Sequence, residues 1–179
     1  PSVVGDAFTS EHAWDTLVDL VGIGNRMAGQ EGEREGAAVV ERAFEDAGLR
    51  EVGNETFDVP GWWRGSSSLA AGESAWSADH HVIALPGTPA GAVEAPIVDV
   101  GHGMPAEIGD EVEGCVAIAR SDVAEGDRWV HRMEKYASAA EHGAVGFVFR
   151  NHLPGNLPPT GEVGYHERPG PIPAVGVSK

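Results

Sequence analysis

"RWVHRMEKYASAAEHGAVGFVFR", residues 128–150, decides the fold class of this chain. Trp129, Met133, Tyr136, Ala137 and Ala140 recur at helical spacing, which predicts a helix over 128–142 with those residues inward. Arg132, Glu134, Lys135 and Glu141 are then placed outward. Gly143 ends the helix. "AVGFVFR" (144–150) follows at once, apolar on both faces, as in an interior strand flanked by helices. A second apolar run, "GCVAIAR" (114–120), precedes the helix, so the unit reads strand, helix, strand, with a right-handed crossover expected.

Working outward, "APIVDVG" (95–101) and "IPAVGVS" (172–178) read as two more strands. Between 151 and 173 lie six of the twelve prolines, and a connection that long without structure is usually functional or disordered. Residues 61–92 are rich in Gly, Ser and Ala and predict short strands and turns, with a boundary near 86–92. The adjacent Trp62 and Trp63 are expected on a strand, one ring in the core and one partly covered. Upstream, "HAWDTLVDLVG" (12–22) spaces Trp14, Leu17, Val18 and Val21 as a short amphipathic helix. A second helix is predicted from Glu31 to Ala47, with Ala37, Val40, Phe44 and Ala47 inward and Gly48 as its left-handed stop. "REVGNETFDVP" (50–60) reads as a strand ending before Pro60. The expectation is a mixed α/β chain in three stretches: 1–60, 61–92 and 93–179.

Composition bounds the function. The 179 residues are 41% apolar, enough for a packed core. The net charge is −16, from 28 acidic and 12 basic residues, and a field of that sign repels nucleic acid phosphates. Ten of the basic residues are arginine; Lys135 and Lys179 are the two lysines. Few lysines, many carboxylates and 25 glycines point to adaptation to high salt, which screens carboxylate repulsion. Cys115 is the one cysteine, so an internal disulfide and a Cys-based zinc site are both excluded, and a buried, inert thiol is expected. No run approaches the ~20 apolar residues of a membrane span. The first residues lack the basic and apolar regions of a signal peptide, so a cytoplasmic location is expected, with secretion as the alternative.

The glycines of "DLVGIGNRMAGQEGEREG" (19–36) suggest a dinucleotide loop, but Met27 stands where Gly or Ala is needed and a helix precedes instead of a strand. No phosphate-binding Gly-Lys-Ser/Thr and no Gly-x-Ser-x-Gly elbow occurs. His131 and His142 are eleven residues apart, a helical rise of ~16 Å, too far for one ion. His80 and His81, after Asp79, are expected on opposite faces of a strand. His102, His152 and His166 sit singly in loops. Neither a catalytic constellation nor a metal site is legible in the residues themselves.

Two stretches carry a resemblance. "NRMAGQEGEREGAAVVERAFEDAGL" (25–49) resembles the opening segment of the zinc aminopeptidase family that includes bacterial aminopeptidases and glutamate carboxypeptidase. Its loop Arg26-Met27-Ala28-Gly29-Gln30-Glu31-Gly32 carries Gln30 where threonine is usual. "VEGCVAIARSD", "KYASAAEHGAVGFVFRN" and "GPIPAVGVS" resemble the protease-associated domain inserted in many of these peptidases, with Ser121-Asp122 in place of the usual glycine and cysteine. The resemblance implies an incomplete peptidase domain followed by a protease-associated β/β/α-type domain. It implies two zinc ions in the whole protein, held by a His-x-Asp, a Glu-Glu, a further Asp and a distal His. Neither Glu-Glu nor His-x-Asp occurs in this sequence, so no zinc is expected on this chain.

The resemblance further implies a downstream catalytic half and a peptide substrate as partners, and homo-oligomerisation stays open. Asn25, Arg26, Asn151 and His152 are then the candidate groove-facing residues. For these four, the competing reading is turn stabilisation by asparagine and a surface arginine. The competing reading for the whole chain is a free-standing binding module that uses the proline-rich loop. If the acidic surface is a salt adaptation, the melting temperature falls as KCl is removed; a melting curve indifferent to KCl refutes that reading.

Overall fold

The computed structural model describes residues 3–77, 80–164 and 169–179. The chain forms two compact units, residues 1–63 and 64–179. Asp79 and His166 lie outside the described residues.

The first unit is helical: α1 (Val3–Thr9), α2 (His12–Gly22) and α3 (Glu31–Asp46). The bounds of α2 are those that its apolar spacing predicts, and α3 stops one residue short of the expected end. The helix α1 was not anticipated, because "VVGDAFT" is short and holds a glycine. Helix α2 packs on α3 where the chain is thinnest: a Cβ on Gly36 would meet Leu20 Cδ2 at 3.7 Å and Arg26 Cδ at 3.2 Å. Gly48 takes φ 81° and closes α3, with its own N–H on Glu45 O at 2.8 Å and that of Leu49 on Phe44 O at 3.1 Å. These are the two bonds of a Schellman stop, and a left-handed residue makes them without strain only when it lacks a Cβ.

Two expectations fail in this unit. Residues 50–60 form no strand, because no described segment of the unit offers a ladder to pair with, and Phe57 stays 82% exposed. Trp62 and Trp63 lie off any strand; Trp62 is half-buried and Trp63 exposed, so neither ring enters a core.

The second unit holds a hairpin and a mixed sheet. β1 (Leu69–Ala71) and β2 (Ser74–Trp76) pair antiparallel across Gly72-Glu73. β3 (Val82–Ala84), β4 (Ile97–Asp99), β5 (Val116–Arg120), β6 (Gly146–Arg150) and β7 (Ala174–Val177) form one sheet in the order β3-β7-β6-β5-β4. β4 to β7 run parallel and β3 is antiparallel to β7. β3 therefore belongs to this sheet, although it comes from the Gly/Ser/Ala-rich stretch upstream of residue 93. The helix α4 (Arg132–Glu141) connects β5 to its parallel neighbour β6.

One sheet face meets α4. Ala117 and Ala119 of β5 leave room for Phe147 and Phe149 of β6, which meet Tyr136 and Ala139 of the helix. Tyr136 stands edge-on to Phe147 at 5.7 Å between ring centroids. Its hydroxyl donates to Ile172 O at 2.7 Å and accepts from Ile172 N at 3.0 Å, so a buried phenol reaches a partner. Burial raises the Tyr136 pKa, against a smaller opposing effect of the bond to Ile172. The other face carries Val82, Val148 and Val177, with Val116, Ile118, Val175 and Leu69 partly covered around them.

Helix α4 begins at Arg132 and not at 128. His131 takes an extended conformation and caps it: Met133 N–H donates to His131 Nδ1 at 3.4 Å, and His131 N–H donates to Glu134 Oε1 at 3.2 Å. This reciprocal pair closes the first turn, as in a capping box. Trp129 falls outside the helix and is 66% exposed, not inward. The larger departure is Lys135, expected outward, which is fully buried.

Gly176, inside β7, has no room for a side chain, since its Cβ would run into the carbonyl of Pro159. Gly176→Ala is expected to destabilise the protein by about 1–3 kcal/mol through overpacking. Gly65→Ala, where nothing lies within 4 Å, is expected to stay within about 0.5 kcal/mol. Urea midpoints of the two variants check the contrast.

Candidate functional site

Parallel strands carry their carboxyl ends to one edge of a sheet, and ligands of open α/β sheets bind beyond that edge. Here β4 runs into a turn bearing His102, β5 into Ser121-Asp122 and β6 into Asn151-His152. The side chain of Lys135 joins the first two. Its Nζ donates to His102 O at 2.6 Å, Arg120 O at 2.8 Å and Asp122 O at 2.6 Å, so all three ammonium protons are used. Burial lowers the Lys135 pKa; the charges of Asp122 and Glu107 oppose that and Arg120 adds to it. Nζ lies 5.9 Å from the centre of the Phe149 ring. Close by, Gly103 takes φ 63°, and a Cβ there would meet the Ala119 methyl at 2.7 Å.

Asp122 is the carboxylate of the edge. Its Oδ2 accepts from Arg120 Nη2 at 2.6 Å, and its Oδ1 lies 3.1 Å from His102 Nδ1. Burial works to raise its pKa, but the hydrogen bond and charge of Arg120, helped by His102, outweigh that and hold it below the usual carboxylate value. Ser121 links the loop after β5 to the loop after β6. Its Oγ lies 2.8 Å from His152 Nδ1 and accepts from His152 N–H at 3.0 Å. The hydroxyl has a proton to give and a second lone pair, so it can donate to Nδ1 or accept from it, the direction following the imidazole's tautomer. No described residue orients that imidazole from its other side, so the pair braces two loops and lacks the third member of a nucleophilic triad.

The four predicted groove residues fall in two places. In the second unit, Asn151 Nδ2 donates to Leu157 O at 2.6 Å and its Oδ1 accepts from Leu153 N–H at 3.1 Å, closing the loop around itself. His152 is held by Ser121, as above. In the first unit, Asn25 Oδ1 accepts from Met27 N–H at 3.2 Å and its Nδ2 donates to Gln30 Oε1 at 2.8 Å. The Arg26 guanidinium donates to Leu20 O, a carbonyl left open in the last turn of α2, and to Gly24 O in the loop beyond it. Gln30 Nε2 also donates to Trp62 O at 3.1 Å. What sequence reasoning missed is Lys135, and the signal was its rarity as one of two lysines in the chain.

A zinc site does not fit these residues. Among the described residues no three His, Cys, Asp or Glu converge on one point. His102 and Asp122 are a pair, His152 faces a serine, and His131 and His142 cap opposite ends of α4. His80 and His81 lie in a turn, not on a strand, and their rings touch at 4.3 Å instead of facing apart. Cys115, expected buried, is half-buried, with its thiol 3.6 Å from Glu113 O. No described helix is long and apolar enough to cross a membrane.

Residues 90–179 match the PA domain family. No protein of curated function matches the chain. Among solved structures, the chain resembles BSAP, a zinc aminopeptidase from Bacillus subtilis, in two structures with TM-scores of 0.67 and 0.65 and identities of 22% and 21%. Each match covers 94% of this chain and 39% of that one. It also resembles an aminopeptidase from Aneurinibacillus sp. strain AM-1, with a TM-score of 0.53 and 22% identity over 94% of this chain and 38% of that one. The chain thus spans about two fifths of the length of these structures, and at such identity the likeness is one of fold.

Lys135→Met leaves three carbonyls in a buried setting without their donor. A loss of about 3 kcal/mol is expected on the scale of unsatisfied buried groups, with Lys135→Arg failing to restore it because a planar fork does not fill a three-carbonyl cradle. Denaturant unfolding gives the stability, and amide exchange at residues 102–103 and 120–122 shows whether the loops open first.

Proposed function

The chain belongs to the PA domain family, and we propose that it is the front portion of a zinc-dependent, aminopeptidase-like metallopeptidase whose PA domain shapes substrate access. The observation that supports this reading most is that both units, in one order, match a single zinc aminopeptidase over 94% of the chain. A second feature agrees. The apolar stripe of α2 is left open, with Trp14 66% and Val21 61% exposed, as for a helix whose covering partner is another part of the same protein. The partners in this reading are a downstream catalytic half, which supplies two zinc ions, and a peptide substrate. In this reading Asn25 and Arg26 of the first unit, and Asn151 and His152 of the second, each hold a loop offered to the substrate. The carboxylate surface serves at high salt, and the working location is the cytoplasm.

The test has two arms. The 179-residue chain alone is expected to bind no stoichiometric zinc and to leave aminoacyl-nitroanilides uncleaved. Joined to the polypeptide encoded after Lys179, it is expected to bind two zinc ions and cleave them. Zinc binding with peptidase activity in the 179-residue chain alone overturns the proposal. A downstream sequence without zinc ligands turns the reading to a free-standing binding module.

A further inference from the structure

A groove of about 330 Å³ opens beside α4, away from the carboxyl edge of the sheet. Tyr136, Ala137, Ala140 and Glu141 form its helix wall, one stripe of neighbouring turns. The facing wall is Pro169-Gly170-Pro171, with Val163 beside it. Ala137 and Ala140 sit at core spacing yet stay half-buried, because the groove runs past them. The loop wall is fixed. Gly170 N–H donates to Gly87 O at 2.7 Å, and the Tyr136 hydroxyl engages both Ile172 O and Ile172 N. A Cβ on Gly170 would run into that hydroxyl, so the backbone there is pressed onto the helix. Proline rings on either side fix the backbone further. Neither wall has to order when a ligand arrives.

The groove is apolar along its length and acidic at its rim. Glu141 stands exposed in the last turn of α4, and that turn holds no basic residue. The carboxyl end of a helix is its negative pole, where cations are favoured and a carboxylate is not. The other described charges at this end do not relieve it. Glu111 holds Gly109 N–H at 3.0 Å and takes the influence of His142, and Glu113 lies against Gly143. Glu162, next to Val163, is answered by the charge of Arg132, whose Nε donates to Glu162 O at 3.1 Å. Among the described residues no ion pair engages Glu141.

We propose that this groove holds an arginine side chain presented by a bound polypeptide, with its methylenes along Ala137, Ala140 and the two prolines and its guanidinium on Glu141. Long basic side chains bury an apolar stem while the charged head stays at the wet rim, which matches apolar walls ending in one carboxylate. A guanidinium is more weakly hydrated than an ammonium and meets a carboxylate with two parallel hydrogen bonds. An acidic side chain would meet Glu141 and the field of a chain at −16. The volume, at the small end of ligand pockets, suits one long side chain. The inference is independent of the peptidase reading, since binding is measured on this chain with no zinc present.

The experiment titrates the 179-residue protein with N-acetyl-arginine amide, its neutral isostere N-acetyl-citrulline amide, or guanidinium chloride. Amide shifts are followed by NMR at ~0.1 M ionic strength, where exposed charges are screened beyond ~10 Å. The arginine compound is expected to give saturating shifts at Ala137, Ala140, Glu141, Val163 and Gly170 with about millimolar affinity. The citrulline compound and the bare guanidinium ion, lacking charge and stem respectively, are each expected to bind more weakly. Glu141→Gln is expected to weaken arginine binding ~3-fold, the size of an exposed ion pair. Ala140→Leu, which fills the groove, is expected to weaken it at least ~10-fold. Citrulline or guanidinium binding as tightly as arginine, shifts confined to other residues, or unchanged affinity in Ala140→Leu each overturns the proposal. The arginine–citrulline comparison uses the unaltered protein and decides the matter even if the variants do not fold.

Discussion

A single buried ammonium organises the second unit. Taking a lysine head group out of water costs several kcal/mol unless its protons find acceptors. Lys135 finds three, all backbone carbonyls: one in the turn after β4, one at the end of β5 and one just beyond it. A carboxylate partner would fix a side chain, whereas three carbonyls fix the path of two loops. Much of the edge depends on that. With the Asp122 carbonyl tied inward, its carboxylate is free to bridge Arg120 and His102. With the His102 carbonyl tied down, Gly103 is pressed against Ala119, and only a residue without Cβ fits. The small residues of β5 that admit Phe147 and Phe149 also make the space through which the lysine stem runs.

The two units solve the problem of burial differently. In the second, β5, β6 and β7 are covered on the α4 side, and β6 is buried along four of its five residues because it has a strand on each flank and a helix above. In the first, one residue of α3 is buried and none of α1 or α2. Its order rests on local devices: the Schellman stop at Gly48, the turn closed by Asn25, and Arg26 on one carbonyl of the last turn of α2 and one just beyond it. Such devices are worth about 1 kcal/mol each, and helices of this length draw most of their stability from an apolar face against a partner.

That difference sets what the sequence could reveal. The bounds of α2 and the stop of α3 were legible because periodicity and capping are local. The interior character of β6 was legible because a run apolar on both faces has few other uses. The strand at 50–60 was misread because alternation cannot say whether a ladder exists. Trp129 was misread because spacing extended the helix through a residue that the His131–Glu134 cap excludes. Lys135 shows the limit most clearly. It shares its face with Tyr136 and Ala139 at helical spacing, but periodicity assigns charge to the outside unless its partners are known, and those lie 13 to 33 residues away. The edge followed the same rule: the loop after β6 stood out as a loop, while the bond of His152 to Ser121, 31 residues distant, did not.

Fold alone does not carry function, so the link from this architecture to an activity has to run through its groups. At the carboxyl edge those groups are a carboxylate bridging a guanidinium and an imidazole, a second imidazole held by a hydroxyl, and an ammonium spent on carbonyls. Donors fixed to a rigid scaffold recognise and orient an acceptor without themselves breaking a bond, and a bound group that must react elsewhere is positioned by such fixed contacts. The ammonium sets the rigidity of that edge: were the three carbonyls not tied to it, the loop after β5 would move independently of the turn after β4.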